Sequence, residues 1–185
     1  EPGDTVLVAI KGYFGNRLAD MADRYRANVK TIERPWGEAF SLEEIESALI
    51  KFRPSILAIV HAETSTGVCQ PLEGIGDLCH KYDCLLLLDT VTSLGGVPLF
   101  LDKWKVDLAY SCSQKGLSCP PGLGPFTMSK RAETKLSERK GKVPNWYLDV
   151  SLLNKYWGSD RVYHHTAPVN MNFGIREALR LIAEE

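Results

Sequence analysis

Short apolar runs alternate with stretches of helical periodicity along this chain. The apolar runs predict strands over 5–10, 28–33, 55–61, 84–88, 106–111 and 125–128, the last of them antiparallel to its neighbour. Between them, apolar residues recur every three or four positions, which predicts helices after a cap at Asn16 and over 41–51, 72–82, 150–157 and 170–184, with a basic helix from Ser129. Unbroken apolar strands separated by helices indicate the α/β class, with a mainly parallel sheet and helices on both faces.

Composition narrows the class of protein without changing this picture. A length of 185 residues suggests one domain with a sizeable core, and 44% hydrophobic with 24% charged residues is ordinary for a globular protein. A net charge of −1 gives no electrostatic reason to expect nucleic acid or an anionic membrane as a partner. No apolar run approaches the roughly 20 residues that a membrane helix needs.

Cysteine and histidine spacing gives no metal or disulfide pattern. The five cysteines form no CxxC pair, which favours free thiols in a reducing compartment. Cys112 and Cys119 flank Lys115, but neither has a histidine or carboxylate beside it in sequence, so buried thiols are favoured over a catalytic cysteine. His164 and His165 are adjacent without a further ligand set, and no metal is expected.

A lysine stands where the strand predicted over 106–111 breaks into small polar residues. Lys115 is followed by Gly116 and by Pro120-Pro121-Gly122, which indicates a constrained loop at a strand's end. Open α/β sheets bind ligands at the carboxyl ends of their strands, and a lysine desolvated there can act as a Schiff-base nucleophile. A solvated loop lysine is the alternative.

Asp89 closes the apolar run 84–88. A carboxylate at the end of a buried strand costs free energy unless it is paired, and the protonated ring nitrogen of a pyridine cofactor would pair it. The 26 residues from Asp89 to Lys115 leave room for a loop, a connection and one more strand, so both side chains could face one ligand. Such a lysine and acid form the characteristic pair of pyridoxal phosphate enzymes. A capping or turn aspartate is the alternative.

Four motifs follow one another along the chain: His61-Ala-Glu-Thr-Ser-Thr-Gly67, Leu87-Leu-Asp-Thr-Val-Thr-Ser-Leu-Gly-Gly96, Ser113-Gln-Lys115 and Tyr163-His-His-Thr166. Together they resemble the alanine–glyoxylate aminotransferase family. That family includes the serine–pyruvate and 3-hydroxykynurenine transaminases and belongs to the class V, fold-type-I pyridoxal phosphate enzymes. The resemblance runs over essentially the whole chain and implies the large, cofactor-binding domain of that fold.

By this resemblance, Lys115 would form the internal aldimine with pyridoxal 5′-phosphate and then move the proton between substrate and cofactor. Asp89 would keep the ring nitrogen protonated. Phe14, in a loop after the first strand, takes the place of an aromatic residue that stacks on the ring. Tyr13 is an alternative stacking residue, and an ordinary core aromatic is the alternative role for Phe14.

The resemblance implies further cofactor contacts. Thr64 would touch the ring region or its acid, Val91 would pack under the opposite ring face, and Gln114 would bind the phosphate. Tyr163 and Thr166 match residues that the family contributes to the phosphate across a dimer interface, which implies a homodimer with shared active sites. Ordinary loop or core roles stay open for each of these residues.

The implied reaction moves an amino group from alanine or serine to glyoxylate or pyruvate, as part of glyoxylate metabolism. A peroxisomal location is also implied, with mitochondrial and cytoplasmic locations left open. A class V lyase or desulfurase is one alternative, but those relatives commonly carry a histidine where this chain has Gln114. An inert dimerisation fragment is the other.

Both ends of the chain look cut. Glu1-Pro-Gly-Asp4 is typical of a turn before a strand, and the last helical pattern runs to the end without a stop signal. The resemblance implies that 1–185 is the central part of the large domain. The glycine-rich segment before it and the C-terminal small domain, with its substrate-binding arginine, are then absent, and Arg176 and Arg180 do not match that arginine.

Overall fold

The structure, a computed structural model, describes residues 1–184; Glu185, the last residue of the predicted domain 1–185, lies outside the described residues. The strands are β1 (Thr5–Ile10), β2 (Asn28–Glu33), β3 (Ile56–Val60), β4 (Ala62–Glu63), β5 (Val68–Cys69), β6 (Leu85–Asp89), β7 (Leu108–Tyr110) and β8 (Phe126–Met128). The helices are α1 (Tyr13–Arg24), α2 (Leu42–Phe52), α3 (Ile75–Lys81), α4 (Lys130–Ser137), α5 (Val150–Trp157) and α6 (Val169–Glu184).

The main sheet has the order β2-β1-β3-β6-β7-β8. Every pairing in it is parallel except that of β7 with β8, which is antiparallel as predicted. The chain moves outward from β1 to β2, returns across β1 to β3, and then continues in the opposite direction. The order therefore reverses between β1 and β3, and open α/β sheets bind ligands at the carboxyl ends of strands next to such a reversal.

Both faces of the sheet are covered. Alternate residues of β1 point to opposite sides, with Leu7 in one apolar cluster and Val8 in the other. The larger cluster packs β1, β3 and β6 against α2 and α3, whereas the smaller one packs the same sheet against Leu18 of α1. The predicted α/β class, with a mainly parallel sheet and helices on both faces, is confirmed.

The helix predicted from Ser41 shows how far local sequence determines an element. The Ser41 hydroxyl accepts from the Glu44 amide at 3.2 Å, and the Glu44 carboxylate accepts from the Ser41 amide at 2.8 Å. This capping box satisfies two amides that the first turn of α2 would otherwise leave without partners. Helix α2 therefore begins where the sequence predicts it.

Several predicted boundaries differ from the structure: the helix predicted over 72–82 spans Ile75–Lys81, and the strand predicted over 106–111 spans Leu108–Tyr110. Helix α1 begins at Tyr13, with Gly12 at the N-cap position, so that Asn16 lies inside the helix and is not its cap. After β3 the chain also forms a small hairpin, which was not predicted: β4 pairs with β5, and residues 64–67 form the turn between them. Residues of this hairpin supply the hydrogen-bond partners that the start of α1 lacks in its own sequence.

No helix among residues 1–184 is both long enough and apolar enough to cross a membrane.

Candidate active site

A cleft of about 510 Å³ lies between α1 and the carboxyl ends of β3, β6 and β7. Six residues singled out from the sequence line it together: Phe14, Thr64, Asp89, Val91, Gln114 and Lys115. A larger hollow of about 650 Å³ lies at the opposite end of the sheet, near the starts of β3, β6 and β7, and none of these six residues lines it. Because ligands of open α/β sheets bind at carboxyl ends, the smaller cleft is the candidate site.

Asp89 is the last residue of β6 and is only 7% exposed. Its Oδ1 accepts from the Val91 amide at 2.9 Å, and its Oδ2 accepts from the Tyr110 hydroxyl at 2.6 Å. The bond to Val91 is the turn contact that the alternative interpretation of Asp89 requires. A carboxylate offers about four acceptor positions, however, so these two bonds leave capacity for a donor in the cleft.

Tyr110 is a site residue that the sequence interpretation missed. The β6–β7 register places Tyr110 directly beside Asp89, and both lie on the face of the sheet that packs against α1. Burial raises the pKa of the Tyr110 phenol above its usual value, and its hydrogen bond to Asp89 raises the pKa further. Tyr110 is therefore neutral and donates to Asp89. The only signal in the sequence is its place at a strand end, which does not name its partner.

Lys115 lies in a loop with little freedom, as predicted. A side chain at Gly116 would bring a Cβ to 2.4 Å from the Leu94 carbonyl, so the loop after β7 is packed closely against the loop after β6. The Ser118 amide also donates to the Lys115 carbonyl at 2.8 Å. The Lys115 side chain is exposed at the mouth of the cleft, as in the alternative of a solvated loop lysine that the sequence left open.

Phe14 lines the cleft from the first turn of α1 and not from a loop, which corrects the predicted position. It is half-buried and packs against the smaller apolar cluster. Tyr13 is 55% exposed and does not line the cleft, so Phe14 is the better candidate for stacking. The Arg17 guanidinium, missed from the sequence, also lines the cleft and lies 4.9 Å from the centre of the Phe14 ring.

The remaining predicted contacts in the cleft are polar or apolar groups along its wall. The Thr64 hydroxyl lies 2.5 Å from the Thr92 hydroxyl, so it bonds to a residue that was not predicted and not to Asp89. Gln114 is exposed beside Lys115, whereas Val91 is half-buried. Thr92 could have been found only through its spacing of three residues from Asp89.

Tyr163 and Thr166 do not line this cleft. Their hydroxyls lie 3.1 Å from each other, and Tyr163 is 72% exposed. His164 stacks on Trp146 at a ring distance of 4.3 Å, and its Nδ1 lies 2.8 Å from Nδ1 of His165. The structure thus brings together six of the eight predicted cofactor contacts and leaves these two apart.

Within residues 1–184, no group of three or more His, Cys, Asp and Glu side chains is arranged to hold a metal ion. Cys112 lines the cleft. The Cys119 thiol donates to the Leu117 carbonyl at 3.4 Å.

Comparison with known proteins gives consistent relatives over the whole chain. The family model Aminotransferase class-V matches residues 1–185. The alanine–glyoxylate aminotransferase of Mus musculus is 46% identical over 188 residues, covering 100% of this chain and 45% of that protein.

Two solved structures have nearly the same backbone. An alanine–glyoxylate aminotransferase from Nostoc sp. has a TM-score of 0.98 at 69% identity, covering 100% of this chain and 49% of that one. The ureidoglycine–glyoxylate aminotransferase of Bacillus subtilis has a TM-score of 0.97 at 41% identity, and the match covers 100% of this chain and 48% of that one. The chain therefore spans about half the length of the relatives that it matches.

Proposed function

The chain belongs to the class V aminotransferase family, and on this premise we propose that it forms the cofactor-binding core of a pyridoxal phosphate-dependent transaminase. One observation carries the proposal: a lysine, a buried carboxylate and an aromatic ring from three separate segments meet in one cleft, as Lys115, Asp89 and Phe14.

The residues of the cleft fit pyridoxal phosphate. Phe14 and Val91 offer apolar surface for a flat ring, and Asp89 offers a carboxylate with free acceptor capacity for a protonated ring nitrogen. Lys115 reaches the mouth of the cleft and offers the amine that such a cofactor needs. Gln114 supplies an amide donor for the phosphate. When bound, the cofactor would act as an electron sink for the substrate's amino-acid carbon.

Each residue of the cleft would have its own role in binding the cofactor or transferring a proton. Lys115 would hold the cofactor covalently and then carry a proton to and from the substrate as general acid and base. Asp89 would keep the ring nitrogen protonated, while Tyr110 and the Val91 amide keep Asp89 in place. Phe14 and Val91 would exclude water from the ring, and Thr64 would line its edge.

The proposed substrates are an amino acid and a 2-oxo acid, with alanine or serine as donor and glyoxylate or pyruvate as acceptor. Relatives similar over the whole chain carry aminotransferase names, and both the alanine–glyoxylate and the (S)-ureidoglycine–glyoxylate enzymes among them have glyoxylate in the name. The desulfurase alternative is not favoured by these relatives, and Gln114 also argues against it.

The shared active site is part of the proposal. In α5 and α6 the described residues contain no buried side chain, although Trp157 and Phe173 are large and apolar and are 65% and 64% exposed. Such a surface supports a homodimer. In that dimer, Tyr163 and Thr166 of one subunit would reach the phosphate of the other.

We propose that residues 1–185 are the central part of the large domain. A peroxisomal location stays a prediction.

An absorbance spectrum with pyridoxal phosphate tests the proposal. The protein extended at both ends should show a visible cofactor band that disappears in Lys115→Ala and shifts when alanine is added. Lys130→Ala is the matched control, because this lysine is 90% exposed, lies in α4 and is remote from the cleft. Absence of any Lys115-dependent band in the extended protein would overturn the proposal.

A further inference from the structure

Helix α1 begins without a cap from its own sequence. Its N-cap residue is Gly12, which makes no side-chain hydrogen bond, and its first turn contains no acidic residue. A helix start leaves several amides without partners inside the helix, and these amides carry the positive end of the helix dipole. Here the start lies partly in the protein interior, since Gly12 and Gly15 are buried and Phe14 is half-buried. Partners for these amides must therefore come from elsewhere in the fold.

The β4–β5 hairpin supplies these partners. The Tyr13 amide donates to the Ser65 hydroxyl at 2.9 Å. The Phe14 and Gly15 amides donate to the two Glu63 carboxylate oxygens at 3.4 and 3.2 Å. The first three amides of α1 are thus capped by residues about 50 positions later in the chain. The negative carboxylate also interacts favourably with the positive end of the helix dipole.

Glu63 is itself held firmly. It is 1% exposed, and its Oε1 also accepts from the Ser65 hydroxyl at 2.7 Å. A Cβ at Gly12 would lie 2.5 Å from Glu63 Cγ, so only glycine at position 12 permits this close approach. Glu63 and the start of α1 therefore form one tightly packed unit.

Lys11 supplies a compensating charge nearby. Its side chain is 1% exposed, and its Nζ donates to the Val60 carbonyl at 2.7 Å. Burial lowers the pKa of Lys11 to about 8, and the Glu63 carboxylate is the largest influence that opposes this lowering. No ion pair in the described part of the chain involves Glu63 directly. The partners of Glu63 are thus hydrogen-bond donors: two amides of α1, and the amide and hydroxyl of Ser65.

We propose that Glu63 is a positioning residue for the cofactor site, acting through the first turn of α1 on Phe14. The Phe14 amide is bonded to Glu63, and the Phe14 ring forms the wall of the cleft. Glu63 thereby sets the height and tilt of the surface on which the cofactor ring would stack. This inference rests on the proposed function for the identity of the ligand, while the capping itself does not.

The test compares Glu63→Gln with Glu44→Gln in the full-length protein. Glutamine keeps the shape of the side chain but offers a buried amide NH₂ to one of the helix amides, so the cap is broken. Glu44 is the matched control, because it caps α2 on the other face of the sheet and does not line the cleft. Ser65→Ala is a milder second variant that removes the partner of the Tyr13 amide.

Two readouts separate positioning from simple stability. Hydrogen exchange without cofactor should be about tenfold faster at residues 13–15 in Glu63→Gln, as expected for a lost cap. With pyridoxal phosphate, the dissociation constant should rise by about tenfold and the visible circular dichroism per bound cofactor should change. Glu44→Gln should alter neither readout. Ser65→Ala should change both in the same direction by a smaller factor, and it decides the matter if Glu63→Gln does not fold.

The possible failures are distinct. Faster exchange at residues 13–15 with unchanged cofactor affinity and circular dichroism would overturn the positioning role and leave a structural cap. Unchanged exchange would overturn the inference altogether. A wild-type protein without any Lys115-dependent band would instead overturn the proposed function, and the positioning role would fall with it.

Discussion

The Tyr110 hydroxyl donates to Oδ2 of Asp89 across a distance of 2.6 Å, between residues that stand side by side on β6 and β7. The phenol is held neutral by burial and by this bond, which raise its pKa. One oxygen of the candidate cofactor-binding acid is thus fixed from the neighbouring strand, and the other is fixed by the Val91 amide.

Removing the Tyr110 hydroxyl should destabilise the protein and leave the tyrosine absorbance change of the folded protein unaltered. Tyr110→Phe deprives a buried carboxylate of a donor, which we expect to cost about 1–3 kcal/mol in chemical denaturation. In the folded protein, the absorbance change from tyrosine ionisation between about pH 9 and 11 should be the same in both forms, because Tyr110 does not ionise there. A loss of signal in Tyr110→Phe would contradict the assignment.

Asp89→Asn should separate cofactor binding from chemistry. Asparagine keeps one oxygen that can accept from the Val91 amide, and its NH₂ group can donate to the Tyr110 oxygen, but it carries no negative charge for the ring nitrogen. We expect the half-reaction with alanine to slow by about 100-fold or more, as for loss of one preorganised electrostatic partner. Stopped-flow absorbance of the full-length protein would measure this rate. Asp102→Asn, outside the cleft, is the control, and equal rates in wild type and Asp89→Asn would argue against the proposed role.

Lys11 should make stability rise with pH in the alkaline range. Burial lowers its pKa in the folded state to about 8, from 10.5 as the ordinary value. Below about pH 8 both folded and unfolded states bind the proton, whereas between about 8 and 10.5 the unfolded state binds more. The free energy of unfolding should therefore gain up to about 3 kcal/mol over this window from Lys11.

Denaturation of wild type and Lys11→Met at pH 7.5, 9 and 10.5 would isolate this contribution, because other groups titrate equally in both proteins. The free energy of unfolding of wild type minus that of Lys11→Met should become more positive as pH rises. Lys51→Met, at an exposed position in α2, is the control for the loss of one lysine charge. A constant difference between wild type and Lys11→Met would mean that Lys11 is not a buried ammonium group.

Asp107 joins α4 to the sheet through hydrogen bonds, and we expect the loss of one of its bonding partners to destabilise the protein strongly. It is 1% exposed, and it accepts from Arg131 at 2.9 Å, from Ser129 at 2.7 Å and from the Leu86 amide at 2.9 Å. Arg131→Ala would leave this buried carboxylate short of a cation, so we expect a loss of about 3–5 kcal/mol in the free energy of unfolding.

Lys130→Ala, at the neighbouring exposed position, should change the free energy of unfolding by less than about 0.5 kcal/mol. Equal effects of the two substitutions would show that the bonds of Arg131 are not retained in solution.

Local sequence determined most of the elements and the residues of the cleft. Continuous apolar runs such as 84–88 favour strands buried on both faces, and the capping box of Ser41 and Glu44 starts α2, because the free energies involved arise between neighbours in the chain. Asp89 and Lys115 were identifiable because both follow strands, and the carboxyl ends of parallel strands meet at one edge of the sheet.

Tertiary structure decided the rest, because the partners are distant in the chain. The first amides of α1 are capped by Ser65 and Glu63, about 50 residues away, in place of the cap that the helix lacks in its own sequence. The Tyr110 bond to Asp89 depends on which strands become neighbours, and the exposure of Lys115 depends on what covers the cleft. Spacing along the chain carries no information about such through-space partners, whereas the packing of the sheet and hairpin sets them directly.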